Sequence, residues 1–284
     1  MTSTDSTSLR GRNVFITGAN TGIGRVTARE LAQRGAKVFV ASKSKQRTQA
    51  LIDEVAAIPG AEPIAWLALD LADLANVRRC AAEFLARDVP LHILINNAGL
   101  AGTRGQTKDG FELAFGVNHL GHFLLTQLLL ERVVQSAPAR IVTVSSRAHT
   151  RCKAIQWEAL RQHTATTTAI AEYGQSKLAN LLFSAELSRR LQGTGVTTYS
   201  LHPGVVATEV WRHVPWFLRP LLKLAGMITA EEGAQTTLHC ATAPALASES
   251  GLYYDKCKPR IPSALGQDTV LAKTLWERSE TFVK

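Results

Sequence analysis

The chain has 284 residues, of which 45% are apolar and 19% charged; 32 Lys and Arg outweigh 23 Asp and Glu, for a formal net charge of +9. That length carries a core without metals or disulfides, and that composition excludes global disorder. The start, MTSTDST, lacks the apolar stretch of a secretory signal, and no run approaches the ~18–20 uninterrupted apolar residues of a membrane span. A cytoplasmic protein is therefore expected, with Cys80, Cys152, Cys240 and Cys257 as separate reduced thiols and no metal site. The positive balance favours an anionic partner: nucleic acid, acidic lipid or a phosphorylated cofactor.

In chain order, β-branched runs alternate with amphipathic stretches. Strands are predicted at residues 13–16, 37–41, 64–69, 91–95, 140–144 and 196–201, and helices at 25–34, 46–57, 77–87, 115–134 and 171–191. Gly35 ends the first helix and Pro59-Gly60 follows the second. The strands are apolar on both faces, which indicates a parallel sheet covered on both sides. With right-handed crossovers this is a single doubly wound α/β domain over 1–284, its central parallel sheet flanked by helices. In such a fold the site lies beyond the carboxyl ends of the strands, so motifs just after strands should converge.

The first strand runs into Thr17-Gly18-Ala19-Asn20-Thr21-Gly22-Ile23-Gly24, and a helix follows. Glycines there let the backbone approach a pyrophosphate, and a helix N-terminus stabilises its charge. At the end of the second strand, Ser42-Lys43-Ser44-Lys45-Gln46-Arg47 has cations and hydroxyls but no acid. An acid would repel a 2′-phosphate, so this loop favours NADP(H) over NAD(H). Asp70-Leu71 and Asn97-Ala98-Gly99 follow the third and fourth strands and suit an adenine edge and a close cofactor approach.

Tyr173 and Lys177 stand four apart on a predicted helix and share a face. A lysine ammonium beside a phenol lowers its pKa and makes it a usable acid/base. Ser145-Ser146, just after the fifth strand, can offer a hydroxyl to a substrate oxygen. Asn118, early in the long helix, can hold a proton-relay water.

Taken together, these motifs resemble the short-chain dehydrogenase/reductase family, and within it the retinol dehydrogenase branch. The likeness rests on Thr17–Gly24, Asn96-Asn-Ala-Gly99, Asn118, Ser146, Tyr173-x-x-x-Lys177 and His202-Pro203-Gly204-x-x-x-Thr208 in that order. Nearer the branch are Val117–Leu130, Tyr173–Asn180, Leu201–Val206, the long gap from Ser146 to Tyr173, and the tail segments Gly251–Cys257 and Leu275–Ser279. The resemblance implies an alcohol dehydrogenase or carbonyl reductase. Tyr173 would be its general acid/base and Lys177 the group that lowers the phenol pKa and binds the nicotinamide ribose. Ser146 would orient the substrate oxygen and Asn118 complete the relay. Pro203, Gly204, Val206 and Thr208 would contact the nicotinamide side of the cofactor. It also implies a homodimer through the two long helices.

The segment 209–229 follows Thr208 where the family carries its substrate lid, and its Trp, Leu and Phe residues predict a lipophilic substrate. Arg212, Arg219 and Lys223 between them leave room for transient contact with a membrane surface. Trp157 is a candidate pocket wall or a packing residue; His119, His122, His149 and His202 read as structural. Two departures from the branch are read here: no N-terminal anchor is expected, and Lys43 stands where an arginine is usual. A non-catalytic NADP-binding sensor or scaffold would usually lose one of the four catalytic positions. A protochlorophyllide reductase would usually break Asn96-Asn-Ala-Gly99. The scattered cations and absent recognition motif argue against nucleic acid.

Overall fold

The computed structural model describes residues 8–205 and 227–284. Its centre is an eight-stranded sheet in the order β3-β2-β1-β4-β5-β6-β7-β8. β1 (Asn13–Thr17), β2 (Lys37–Ser42), β3 (Ala65–Ala68), β4 (Ile93–Asn96), β5 (Ala139–Val144), β6 (Val196–His202) and β7 (Leu252–Asp255) run parallel. β8 (Lys258–Arg260) closes the edge antiparallel to β7. The helices are α1 (Gly22–Gln33), α2 (Lys45–Ala56), α3 (Leu74–Leu85), α4 (Leu113–Gln135), α5 (Ile170–Arg190), α6 (Ala230–Thr242) and α7 (Thr269–Phe282). This is the single Rossmann-like α/β domain that the alternation of the sequence predicts.

Successive strand residues point to opposite faces, and here both faces are dry. Phe15 of β1 packs into one core layer under α3, α4, α5 and α7, whereas Val14 and Ile16 join the other under α1, α2 and α6. That is why the strands carry no polar alternation. Several helices start on side-chain caps: Ser44 accepts from the Arg47 N–H, Asp73 from Asn76, and Thr229 and Glu232 form a reciprocal capping box. α4 is long and apolar enough to cross a membrane by length and composition, but 78% of that window is buried inside the protein. Its apolarity reflects packing between the sheet and neighbouring helices.

Strand order reverses between β1 and β4, and the crevice at such a switch point is where open α/β sheets bind ligands. α1 begins at Gly22, inside the glycine motif and three residues before the predicted start. Within α4, residues Gly116–Leu120 form a π-turn centred on Asn118. β7, β8, α6 and α7 extend the predicted six-strand core.

Candidate active site

The glycine turn is set by the approach of two loops. Gly18 has φ +66°, and a Cβ there would lie 2.7 Å from the Ala98 Cβ. At Gly24 a Cβ would meet Asn97 Nδ2 at 2.5 Å and the Gly18 carbonyl at 2.6 Å. Asn97 locks this contact by donating Nδ2–H to the Thr17 and Gly18 carbonyls, at 2.8 and 3.2 Å. Thr17 Oγ1 in turn accepts the Asn97 and Ala98 N–H groups at 3.0 and 2.9 Å. The first turn of α1 follows with Thr21 at its N-cap, and the Thr21 side chain makes no capping bond. Its opening N–H donors are thus not consumed by the cap, which suits the anionic bridge of a dinucleotide. Asn20, Thr21 and Ile23 lie on this turn as expected.

At the next strand end the polar side chains divide. Ser42 is buried; its hydroxyl bonds Thr48 Oγ1 at 2.8 Å and accepts from Trp66 Nε1 at 3.0 Å. Ser44 is spent on the α2 cap. The hydroxyls expected beside the cations therefore both have partners within the fold. Lys43 reaches the surface and pairs with Asp70 Oδ1 at 2.9 Å. Asp70 Oδ1 also accepts the Ala72 N–H at 2.8 Å, which fixes the carboxylate at the strand end. Leu71 is buried, and its carbonyl lies 2.7 Å from where a Cβ on Gly121 would fall, so α4 crosses closely there.

The catalytic candidates meet between the ends of β4 and β5 and the first half of α5. Ser146 follows β5, and its hydroxyl accepts the Ala148 N–H at 3.2 Å. Burial raises the Tyr173 pKa, and a hydrogen bond with Ser146 opposes the rise. Ser145 faces the other way, donating to the Lys177 carbonyl at 2.6 Å, so the geometry selects Ser146 from the pair. Lys177 is 3% exposed and donates to the Val144 carbonyl at 2.9 Å; its Nζ lies 5.7 Å from the Tyr173 ring centroid. Desolvation lowers its pKa to about 8. The sequence expectation of a phenol already lowered by lysine is thus corrected: in this geometry burial dominates both groups, and the ammonium's nearest partner is a carbonyl.

Asn118 is fully buried and firmly held. Its Oδ1 accepts the Leu100 N–H at 2.9 Å, and its Nδ2 donates to the Leu100 carbonyl and Ser176 Oγ at 3.0 and 2.9 Å. Gly99 lies close to both side chains: a Cβ there would lie 3.2 Å from Asn118 Oδ1 and 3.4 Å from Lys177 Nζ. The amide side chain is thus a clamp on the Leu100 backbone and on Ser176.

On the far side, Gly204 has φ +95° and no room for a Cβ, which would fall 2.3 Å from Ile228 Cδ1. Pro203 and Gly204 directly follow β6, whereas Val206, Thr208 and residues 209–226 of the expected lid lie outside the described residues. Trp157 packs on the main core with Arg278 stacked 4.5 Å from its ring centroid, which favours its packing role. The nearby histidines, read as structural from the sequence, have specific partners. His202 Nδ1 accepts the Arg147 N–H at 3.3 Å, and His149 Nδ1 bonds the Ser146 carbonyl at 2.7 Å. Both hold the serine loop in place, a role that proximity to the motifs signals but does not specify. Among the described residues no group of three or more His, Cys, Asp or Glu side chains is placed to hold a metal.

Comparison with known proteins bears on the family and the fold. The model of the short chain dehydrogenase family matches residues 12–216. Retinol dehydrogenase 12 of Mus musculus is 47% identical over 279 residues, covering 97% of this chain and 87% of the mouse protein. Retinol dehydrogenase 11 of Homo sapiens is 45% identical with the same coverage. An uncharacterized protein from Mycobacterium paratuberculosis superposes with a TM-score of 0.76 at 36% identity, covering 97% of this chain and 94% of that one. Pseudomonas aeruginosa RhlG, solved as an NADP active-site complex, shares the fold with a TM-score of 0.70 at 24% identity; the match covers 94% of this chain and 98% of RhlG.

Proposed function

From the premise that the chain belongs to the short-chain dehydrogenase family, an oxidoreductase related to retinol dehydrogenases, we propose that it is an NADP(H)-dependent enzyme for a lipophilic aldehyde, ketone or alcohol. The observation that carries this reading is the convergence of Ser146, Tyr173, Lys177 and the clamped Asn118 beside the switch-point crevice. Lys43 at the end of β2, with no acid in that loop, supports the 2′-phosphate. The retinol dehydrogenase names of relatives at 45–47% identity support an apolar substrate.

The glycine turn, the uncapped start of α1 and Lys43 would hold the dinucleotide, with Pro203 and Gly204 at its nicotinamide end. The bound nicotinamide supplies or accepts hydride. The chain manages the proton. In reduction, Ser146 orients the carbonyl oxygen by hydrogen bonding, and Tyr173 Oη gives up its proton to that oxygen as negative charge develops. The resulting phenolate is stabilised by the Lys177 ammonium. Oxidation reverses these steps, with Tyr173 as base. Because burial alone disfavours the phenolate, the lysine charge is what makes the residue usable near neutrality.

Tyr173→Phe tests this directly. Turnover of retinal or decanal with NADPH should fall by at least about a thousandfold, within the range of losing a main acid/base group. NADPH affinity by fluorescence titration should change little. Retained turnover overturns the mechanism. We also propose a cytoplasmic homodimer through α4 and α5, and transient contact of the 209–229 segment with acidic lipid. Sedimentation and vesicle binding are their respective tests.

A further inference from the structure

We propose that His122 is a positioning residue. It joins the glycine turn, the Asn97-Ala98 strand end and Asn118 into one hydrogen-bonded unit, so the floor beneath the cofactor fixes the place of the proton machinery. The inference rests on the reading above, in which Tyr173, Lys177 and their supports handle the proton.

His122 stands one turn after Asn118 on α4 and is 1% exposed. Both ring nitrogens are engaged. Nδ1 lies 2.9 Å from the Asn118 carbonyl. A carbonyl only accepts, so Nδ1 carries the hydrogen. Nε2 is then bare and accepts from Thr17 Oγ1 at 2.8 Å. Thr17 is able to donate because its oxygen already accepts the N–H groups of Asn97 and Ala98. One tautomer satisfies every donor in the chain. A doubly protonated ring would face Thr17 with a second donor, and the Thr17 oxygen has no lone pair left for it. Burial agrees, holding the ring neutral with its pKa lowered to about 4.

The consequences run in both directions along α4. Towards β1, the Thr17 hydroxyl secures the turn where Gly18 meets Ala98. Towards α5, the Asn118 carbonyl is held inside the π-turn Gly116–Leu120, at the point where its amide clamps Leu100 and Ser176. Lys177 Nζ and that amide both border the Cβ side of Gly99. Losing the imidazole would free the Thr17 donor and the Asn118 carbonyl together. The π-turn could then relax, and the Leu100 backbone would shift against Lys177.

The test compares His122→Leu with His122→Gln, since glutamine can donate Nδ1-like to the Asn118 carbonyl and accept from Thr17, whereas leucine fills the space without bonding. At saturating NADPH, His122→Leu should lower kcat for retinal by at least about tenfold, the loss expected for an unpaired buried donor and acceptor. His122→Gln should recover most of that loss. Thr17→Val should resemble His122→Leu, and the double variant should be no worse than either single one. In the wild-type protein, 15N imidazole NMR should show His122 protonated at Nδ1 and bare at Nε2. Glutamine performing no better than leucine, additive losses, or an Nε2-protonated ring each overturn the proposal. If His122→Leu does not fold, the glutamine variant and the tautomer decide. Tyr173→Phe separates the two readings. A turnover-competent Tyr173→Phe sinks the proton mechanism and leaves the tautomer standing. A dead Tyr173→Phe beside an unrescued His122→Gln sinks this proposal alone.

Discussion

Lys43 and Asp70 form an ion pair at 2.9 Å with side chains 64% and 37% exposed. Exposed pairs contribute only about 0–1 kcal/mol, so the lysine leaves the carboxylate at little cost when a stronger anion arrives. A 2′-phosphate offers a charge-assisted contact of about 1.5–3 kcal/mol. Lys43→Ala should therefore weaken NADPH by roughly tenfold or more and NADH by less than about threefold. Parallel fluorescence titrations of the two cofactors check this, and equal losses would contradict the 2′-phosphate assignment. Salt should narrow the difference, because the site is at the surface. The same scale explains why Tyr173 and Lys177 belong together. Burial raises the Tyr173 pKa and lowers that of Lys177 to about 8, so it favours the neutral form of each, and a phenolate at Tyr173 needs the opposite charge of the lysine beside it.

Among the elements, α7 has the clearest energetic role. Asp268 caps it, and Trp276 is 4% exposed on its inner face. The indole stacks on Phe183 of α5 at 5.8 Å and meets Phe123 of α4 edge-on at 5.1 Å. Arg190 covers it at 4.3 Å, and its Nε1–H donates to Glu280 at 2.7 Å. One side chain thus fastens α7 to both long helices. Trp276→Ala should cost about 3–5 kcal/mol, read as a lower urea midpoint with an unchanged slope. Trp276→Phe should lose clearly less, since it keeps the stack; equal losses would mean that the ring packing is not what matters. The strands and helices from β1 to β6 were legible in the sequence because each strand is apolar on both faces and several helices have a cap or a stop such as Gly35. The β7–β8 hairpin was not. Its turn residues Lys256 and Cys257 both have positive φ, at 52° and 59°, without the Asn-Gly or Asp-Gly that marks such a turn. The catalytic candidates stood out through motif spacing. The π-turn at Asn118 and the burial of Ser42 were not, because both depend on what α4 and Trp66 pack against.

At the scale of the whole molecule, the buried histidines set the response to acid. Desolvation lowers the pKa of His119 to about 3, and those of His122 and His202 to about 4. His92 and His149 are lowered in the same direction. Unfolded, each would titrate near 6.5. Below that pH the unfolded chain binds more protons than the native one, so native stability falls as pH falls. The stabilisation is fully present above pH 6.5 and is lost progressively down to about pH 4, through the native pKa values. Each fully lowered histidine contributes up to about 1.4 kcal/mol per pH unit, so three together approach about 4 kcal/mol per unit. The net charge of +9 rises further over the same range and adds self-repulsion. Urea unfolding at pH 7, 6, 5 and 4.5 should therefore give steeply declining free energies. His119 is the histidine to remove, since its Nε2 bonds Ser279 of α7 at 3.0 Å. His119→Gln should lower stability at pH 7 through imperfect packing, yet flatten the decline by about a third, as one of three such groups is lost. An unchanged slope would show that the acid sensitivity lies in the carboxylates and not in the buried imidazoles.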